Sequence, residues 1–202
     1  MHAATGPIIL RFRREGEGHD RRSGYRGTSD AFGEITLTCP LPRRQPESLV
    51  SEVRGTLIPT ATYETRGIHT EAADLPTLNR STLRLGDATV HMRRNRFGLT
   101  LRGRALRLTY GGDPYRLRAR NRKQFVLSRQ ADSEDPGVTV TVKLSGIGSG
   151  KKVQVHVAGR AVAADIALAV LFAGVDRAPL TRGGAVRAAL SRSTRLVMES
   201  QA

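Results

Sequence analysis

Across 202 residues, 33 lysines and arginines face 18 aspartates and glutamates, giving a formal net charge of +15. A single cysteine, Cys39, excludes an intrachain disulfide framework, and an apolar share of 39% is enough for one packed core. The apolar run 166–175 is about half of what a membrane-spanning helix needs, and 8–10 is too short for the hydrophobic region of a signal peptide. The expectation is therefore an intracellular chain, cytoplasmic or peripheral at a membrane.

Residues 7–13 (PIILRFR) form a first strand candidate. The stretch 14–32 is polar, glycine-rich and charged with both signs, and reads as an exposed loop or disordered arm. Residues 1–32 are accordingly set apart as a strand plus arm. From Gly33 onward strand signals recur every 8–12 residues. Ile35, Leu37 and Cys39 alternate with polar neighbours until Pro40 and Pro42, and that alternation makes Cys39 a buried structural thiol. Further strand candidates are 48–54, 56–66 (broken by Pro59), 81–85, 88–94, 96–102, 104–110, 115–120, 124–129, 137–145 and 152–158. Short turn signals such as Gly86-Asp87 and Gly111-Gly112 separate them, and links this short join antiparallel neighbours. With the first strand the chain holds about twelve, mostly as a meander.

Within this array the charge is concentrated. From Arg84 to Arg129, twelve arginines and Lys123 are offset only by Asp87 and Asp113. Arginine and apolar residues alternate there, as in Tyr115-Arg116-Leu117-Arg118-Ala119-Arg120, and period two sends the two sets to opposite faces of a strand. Like charges on adjacent strands cost free energy, so a crowded arginine face points to an anionic partner. Genome base composition can also enrich arginine over lysine, here 29 to 4, without any binding role.

The pattern changes once. Residues 161–175 (AVAADIALAVLFAGV) are apolar on all sides except for Asp165, and alanine and leucine favour helix. A helix apolar all round must be buried. Asp165 suits its first turn and Gly174 its end. A sheet rolled around this helix buries it and removes its own free edges. Residues 177–202 form a basic tail with the spacing of a weakly amphipathic helix, placed at the barrel mouth. The expected fold is mainly β: an antiparallel barrel over 33–176, closed around one central helix at 161–175.

About a dozen strands followed by a hydrophobic helix bounded by aspartates (DIALAVLFAGVD, 165–176) resembles the tubby C-terminal-like superfamily. That group includes the LURP-one-related proteins and the phospholipid scramblases. The resemblance covers roughly residues 34–176 and rests on the order of elements and the helix segment. It implies a twelve-stranded barrel around a central helix. It further implies phosphoinositide or membrane association through basic surface residues, with no individual residue assigned by motif.

Candidate chemistry is otherwise sparse. Ser145-Gly-Ile-Gly-Ser-Gly-Lys-Lys152 resembles a phosphate loop, but serine replaces the first glycine and Lys152 the serine or threonine after the lysine. A hairpin turn between two valine-alternating strands fits better, with Lys151 and Lys152 adding to a basic surface. The histidines 2, 19, 69, 91 and 156 lack zinc spacing, and His91 and His156 fall on outward strand faces. The carboxylates Glu15, Glu17, Asp132, Glu134 and Asp135 lie in loops rather than in a catalytic pair. No Gly-x-Ser-x-Gly elbow is present, and neither metal nor cofactor is expected.

The reading that follows is non-enzymatic: binding of anionic phospholipid headgroups, or a membrane surface, by a basic face. That face comprises Arg84, Arg93, Arg96, Arg102, Arg107, Arg116, Arg118, Arg120, Lys151 and Lys152. Duplex nucleic acid, contacted at its phosphates, and an acidic protein partner held by a scaffold are the alternatives. Single-strand binding is disfavoured, because Phe97, Tyr110, Tyr115 and Phe125 fall on the apolar face and leave no stacking platform outside.

Overall fold

The period-two alternation builds strands wherever the turn residues allow it. The computed structural model describes residues 6–15, 22–40, 47–67, 75–95, 100, 103–133 and 135–181. Its strands are β1 (Ile8–Glu15), β2 (Arg22–Ser29), β3 (Gly33–Cys39), β4 (Ser48–Gly55), β5 (Ala61–Arg66), β6 (Ser81–Leu85) and β7 (Ala88–Thr89). They continue as β8 (His91–Arg94), β9 (Leu106–Tyr110), β10 (Asp113–Ala119), β11 (Gln124–Arg129), β12 (Val138–Ser145) and β13 (Lys152–Gly159). One helix follows, α1 (Ala163–Leu171).

All thirteen strands belong to one antiparallel sheet in the order β7-β6-β5-β4-β3-β2-β1-β13-β12-β11-β10-β9-β8. Apart from β7 and β8, each strand lies beside its neighbour in sequence, and β1 pairs with β13 (Ile8↔Val155, Leu10↔Val153), joining the two ends of the meander. The sheet's two outermost strands, β7 and β8, are separated by Val90 alone, so the chain steps there from one sheet edge to the other. The result is a nearly closed barrel.

The inward side chains pack around α1. The helix packs against β4, β5 and β6 on one side and β11 and β12 on the other. Every residue from Asp165 to Val175 is buried. Burying Ile166, Leu168, Val170, Leu171 and Phe172 contributes about 1.5–3 kcal/mol each, an upper estimate for area removed from water. Helical structure ends sooner than the apolar run: α1 stops at Leu171 and a tight 3-10 turn spans Phe172–Gly174. Gly174 has no left-handed backbone there. It is small because a Cβ would lie 2.9 Å from Ser51 Oγ, and that hydroxyl donates to the Gly174 carbonyl at 2.6 Å.

Three segments differ from the sequence reading. Residues 22–29, read as part of an arm, are strand β2, paired with β1 and β3. Its glycines carry the explanation. A Cβ on Gly24 would collide with the Leu37 carbonyl, and one on Gly27 with the Ile9 carbonyl, so glycine lets the strand curve tightly between its neighbours. The 56–66 strand begins only at Ala61, after Pro59. Arg177 to Thr181, read as the start of a tail, fold back against the barrel with Arg177, Leu180 and Thr181 buried. The expected strand over 96–102 lies outside the described residues apart from Thr100, and so does 182–202.

Candidate functional site

Because the strands are antiparallel and in register, residues far apart in sequence line up across the outer wall. Arg93 on β8 is directly opposite Arg107 on β9, and Arg107 is directly opposite Arg116 on β10. Three guanidinium groups thus stand on three consecutive strands in one cross-strand row. Paired positions on adjacent strands lie about 5 Å apart. Arg118 follows Arg116 on the same face two residues along β10, and Arg120 sits just past its end. His91, two residues before Arg93, is also exposed. Arg84 reaches the outer surface on β6, opposite Thr62 and Thr89.

Arg84, Arg93, Arg107 and Arg120 are exposed, and Arg116 and Arg118 are partly so. None of the six has an ion-pair partner among the described residues. The row therefore concentrates like charge without internal neutralisation, an arrangement that is unfavourable by itself and favourable beside an anion.

The ten sequence candidates do not form one cluster. Arg96 and Arg102 lie outside the described residues. Lys151 and Lys152 belong to the β12–β13 hairpin, where Lys152 is paired in register with Arg11 on β1. The β10 row extends onto β13 at Ala158, six residues from Lys152, about 20 Å along the strand. A second basic row, Lys152–Arg11–Arg26, therefore runs over β13, β1 and β2. This row is not visible in the sequence, because the glycine-rich segment holding Arg26 has the composition of a loop. This second row is partly neutralised: Arg26 donates to Glu34 at 2.7 Å.

Not every arginine of the 84–129 segment faces out. Arg129 points inward, its side chain 4% exposed, and donates to both oxygens of the fully buried Asp165 at 3.1 and 3.2 Å. Its second partner is Asp135, at 2.7 Å. Hydrogen bonding to Asp165 raises the Arg129 pKa further above its ordinary value, against the effect of burial. Asp165 also accepts the Val162 N–H at 2.8 Å, satisfying a donor at the start of α1. Burial first, then the neighbouring Asp165, pushes the Tyr115 phenol well above its usual range.

At the opposite end, Arg177 is buried and donates to the carbonyls of Phe172 and Val175, with its guanidinium 4.4 Å from the Phe125 ring centre. A cation there complements the negative end of the helix. Burial lowers the Arg177 pKa to about 10, still charged at neutral pH. The central helix is thus clamped by an acid–base pair at its start and a guanidinium at its end. Cys39 is buried and free, as its alternation predicts, and burial pushes its thiol up to about 12, away from nucleophile chemistry at neutral pH.

The 145–152 segment forms the hairpin turn between β12 and β13, with a short 3-10 turn at Gly148–Gly150 and no helix following it. No group of three His, Cys, Asp or Glu placed to hold a metal occurs among the described residues. No helix among them is long and apolar enough to cross a membrane. The chain matches no family model, no curated protein and no solved structure.

Proposed function

We propose that the protein is a non-enzymatic module that binds anionic phospholipid headgroups at a membrane surface through the outward face of β8, β9 and β10. The observation that carries this reading is the unpaired row Arg93–Arg107–Arg116. Each basic residue held near an anionic leaflet contributes about 1 kcal/mol. The three together, with Arg118 and Arg120 beside them, suffice for reversible docking. The resemblance to tubby-like and LURP-one-related proteins supports the same class, since membrane or phosphoinositide association is what it implies. Phe125 and Tyr115 point inward, so neither gives the face, among the described residues, the stacking platform that single-stranded nucleic acid uses.

The test is co-sedimentation with vesicles of phosphatidylcholine alone, or doped with phosphatidylserine or a phosphoinositide, with and without duplex DNA. The wild type is expected to pellet only with the anionic vesicles, and to be released at high salt. Replacing Arg93, Arg107 and Arg116 together by glutamine should weaken that binding about a hundredfold. Displacement by a low concentration of duplex DNA would replace this reading with phosphate-backbone recognition of nucleic acid. Binding to neither would leave an acidic protein as the partner.

A further inference from the structure

The ladder is interrupted at one seam, and the interruption makes a pocket. β7 pairs with β6 through Arg84↔Thr89 and Leu85↔Ala88, and the Val90 N–H still donates to the Leu83 carbonyl at 2.9 Å. From His91 the chain pairs with β9 instead, ending at Arg94↔Leu106. β6 and β8 therefore diverge beyond Val90, and a cavity of about 220 Å³ opens between them. Its polar lining is Arg80, Ser81, Tyr63 and Arg94, and no carboxylate lines it among the described residues. Leu78 and Met92 supply an apolar wall.

We propose that this notch is a binding site for a phosphomonoester group, built from Arg80 and Arg94 with the Ser81–Tyr63 hydroxyl pair. Two guanidinium groups match the charge of a phosphomonoester, close to −2 at neutral pH, and a phosphoryl group's several oxygens accept from a convergent donor set. Arg94 is held in place by donating to Asn79 Oδ1 at 2.9 Å. Tyr63 Oη and Ser81 Oγ are 2.8 Å apart. Burial pushes the Tyr63 phenol up to about 12, so it keeps its proton at neutral pH. The pair then holds two protons and uses one between its oxygens, leaving the other to donate to a guest. The apolar wall suits the aliphatic part of an organic phosphate.

Arg80 gives an independent reason. It is the one non-glycine residue with positive φ, +45°, among the described residues, and it is exposed at the rim of the notch. A left-handed backbone favours glycine and is strained for arginine. The strained backbone places a guanidinium at an otherwise polar cavity, which is where functional strain is expected to collect. The notch faces the barrel interior rather than the outer arginine row, so this site stands whether or not the outer face docks on membranes.

The experiment titrates the full chain with inorganic phosphate, glycerol 3-phosphate and short-chain phosphatidic acid, read by calorimetry and by thermal shift. Wild type should bind at least one of these in the millimolar range or tighter, and Arg80→Gly and Arg94→Gln should each weaken binding about tenfold. Arg80→Gly should also melt at the same temperature as wild type or higher without ligand, since glycine relieves the left-handed backbone. Lost binding in that variant cannot then be ascribed to unfolding. Binding of the soluble phosphates alone assigns a free phosphoester as the source, and binding of phosphatidic acid alone assigns a lipid headgroup. Absence of heat and of thermal shift with all three probes, or wild-type affinity in Arg80→Gly, overturns the site.

Discussion

Arginine is used in two opposite ways on the two sides of the barrel wall. Inside, Arg129 and Arg177 each have several oxygen acceptors: Asp165, Asp135 and the Arg160 carbonyl for the first, the main-chain carbonyls of Phe172, Val175 and Arg122 for the second. Outside, Arg93, Arg107 and Arg116 face one another across three strands with no acid among the described residues to neutralise them. The difference teaches where each kind of charge belongs in an argument. A buried guanidinium draws oxygen acceptors around it, so its partners describe how the fold is held. An exposed row of like charge does nothing for the fold, so it directs attention to something outside the molecule.

The interior side of this comparison breaks most readily at Asp165. Asp165→Asn removes the charge that faces Arg129 in a region closed to water. Unfolding in denaturant should show a loss of about 3–5 kcal/mol, the range for breaking one partner of a buried ion pair. Replacing both partners by apolar residues, as in Arg129→Met with Asp165→Leu, should recover part of that loss, because no fully buried charge remains and Asp135, which is partly exposed, can be hydrated. A loss below about 1 kcal/mol in Asp165→Asn would mean that the pair is solvated, and that inside and outside arginines do not differ in kind.

Alkali sharpens the same interior. Cys39 has an ordinary thiol pKa of 9.0 and Tyr63 a phenol pKa of 10.0, and burial pushes each up to about 12 in the folded chain. Above pH 9 the unfolded chain releases a proton that the folded chain keeps. The native state then binds more protons, and stability falls as pH rises. Arg177, lowered to about 10 by burial, contributes with the opposite sign, but only above pH 10. Between pH 9 and 10 the thiol dominates, so wild type should lose about 1 kcal/mol across that unit, while Cys39→Ala should give a markedly flatter profile. Parallel profiles for the two proteins would show that the thiol is not shielded.

Much of this architecture was legible in the residues, and the exceptions are instructive. Alternation in Ile35, Leu37 and Cys39, or in Val138, Val140 and Val142, specifies both strand and inward face, because period two has one structural meaning. The all-apolar 166–175 run could only be buried. β2 was illegible because Gly24 and Gly27 look like loop residues until their neighbours' carbonyls show why a side chain is excluded. The arginine alternation misled at Arg129, which is in phase with Phe125 and Leu127 and therefore points inward. The row Arg93–Arg107–Arg116 depends on strand register, which turn geometry sets and composition does not. The notch at Arg80 needed the seam between β6 and β8, a purely tertiary feature.

The smallest expected effect lies on the outer face. Arg107 has a like charge directly opposite on both sides, from Arg93 and Arg116. Arg107→Thr keeps a strand-forming residue at the site and removes both repulsions, each worth a few tenths of a kcal/mol. Stability in low salt should therefore rise by somewhat under about 1 kcal/mol. The gain should shrink at about 1 M salt, where the screening length falls to about 3 Å. Binding to anionic vesicles should weaken in the same variant. A protein that gains stability as it loses docking is what a surface charge held for a partner requires. If Arg107→Thr is instead less stable, equally so at both salt concentrations, the side chain is packing on the wall, and the row describes the fold rather than a partner.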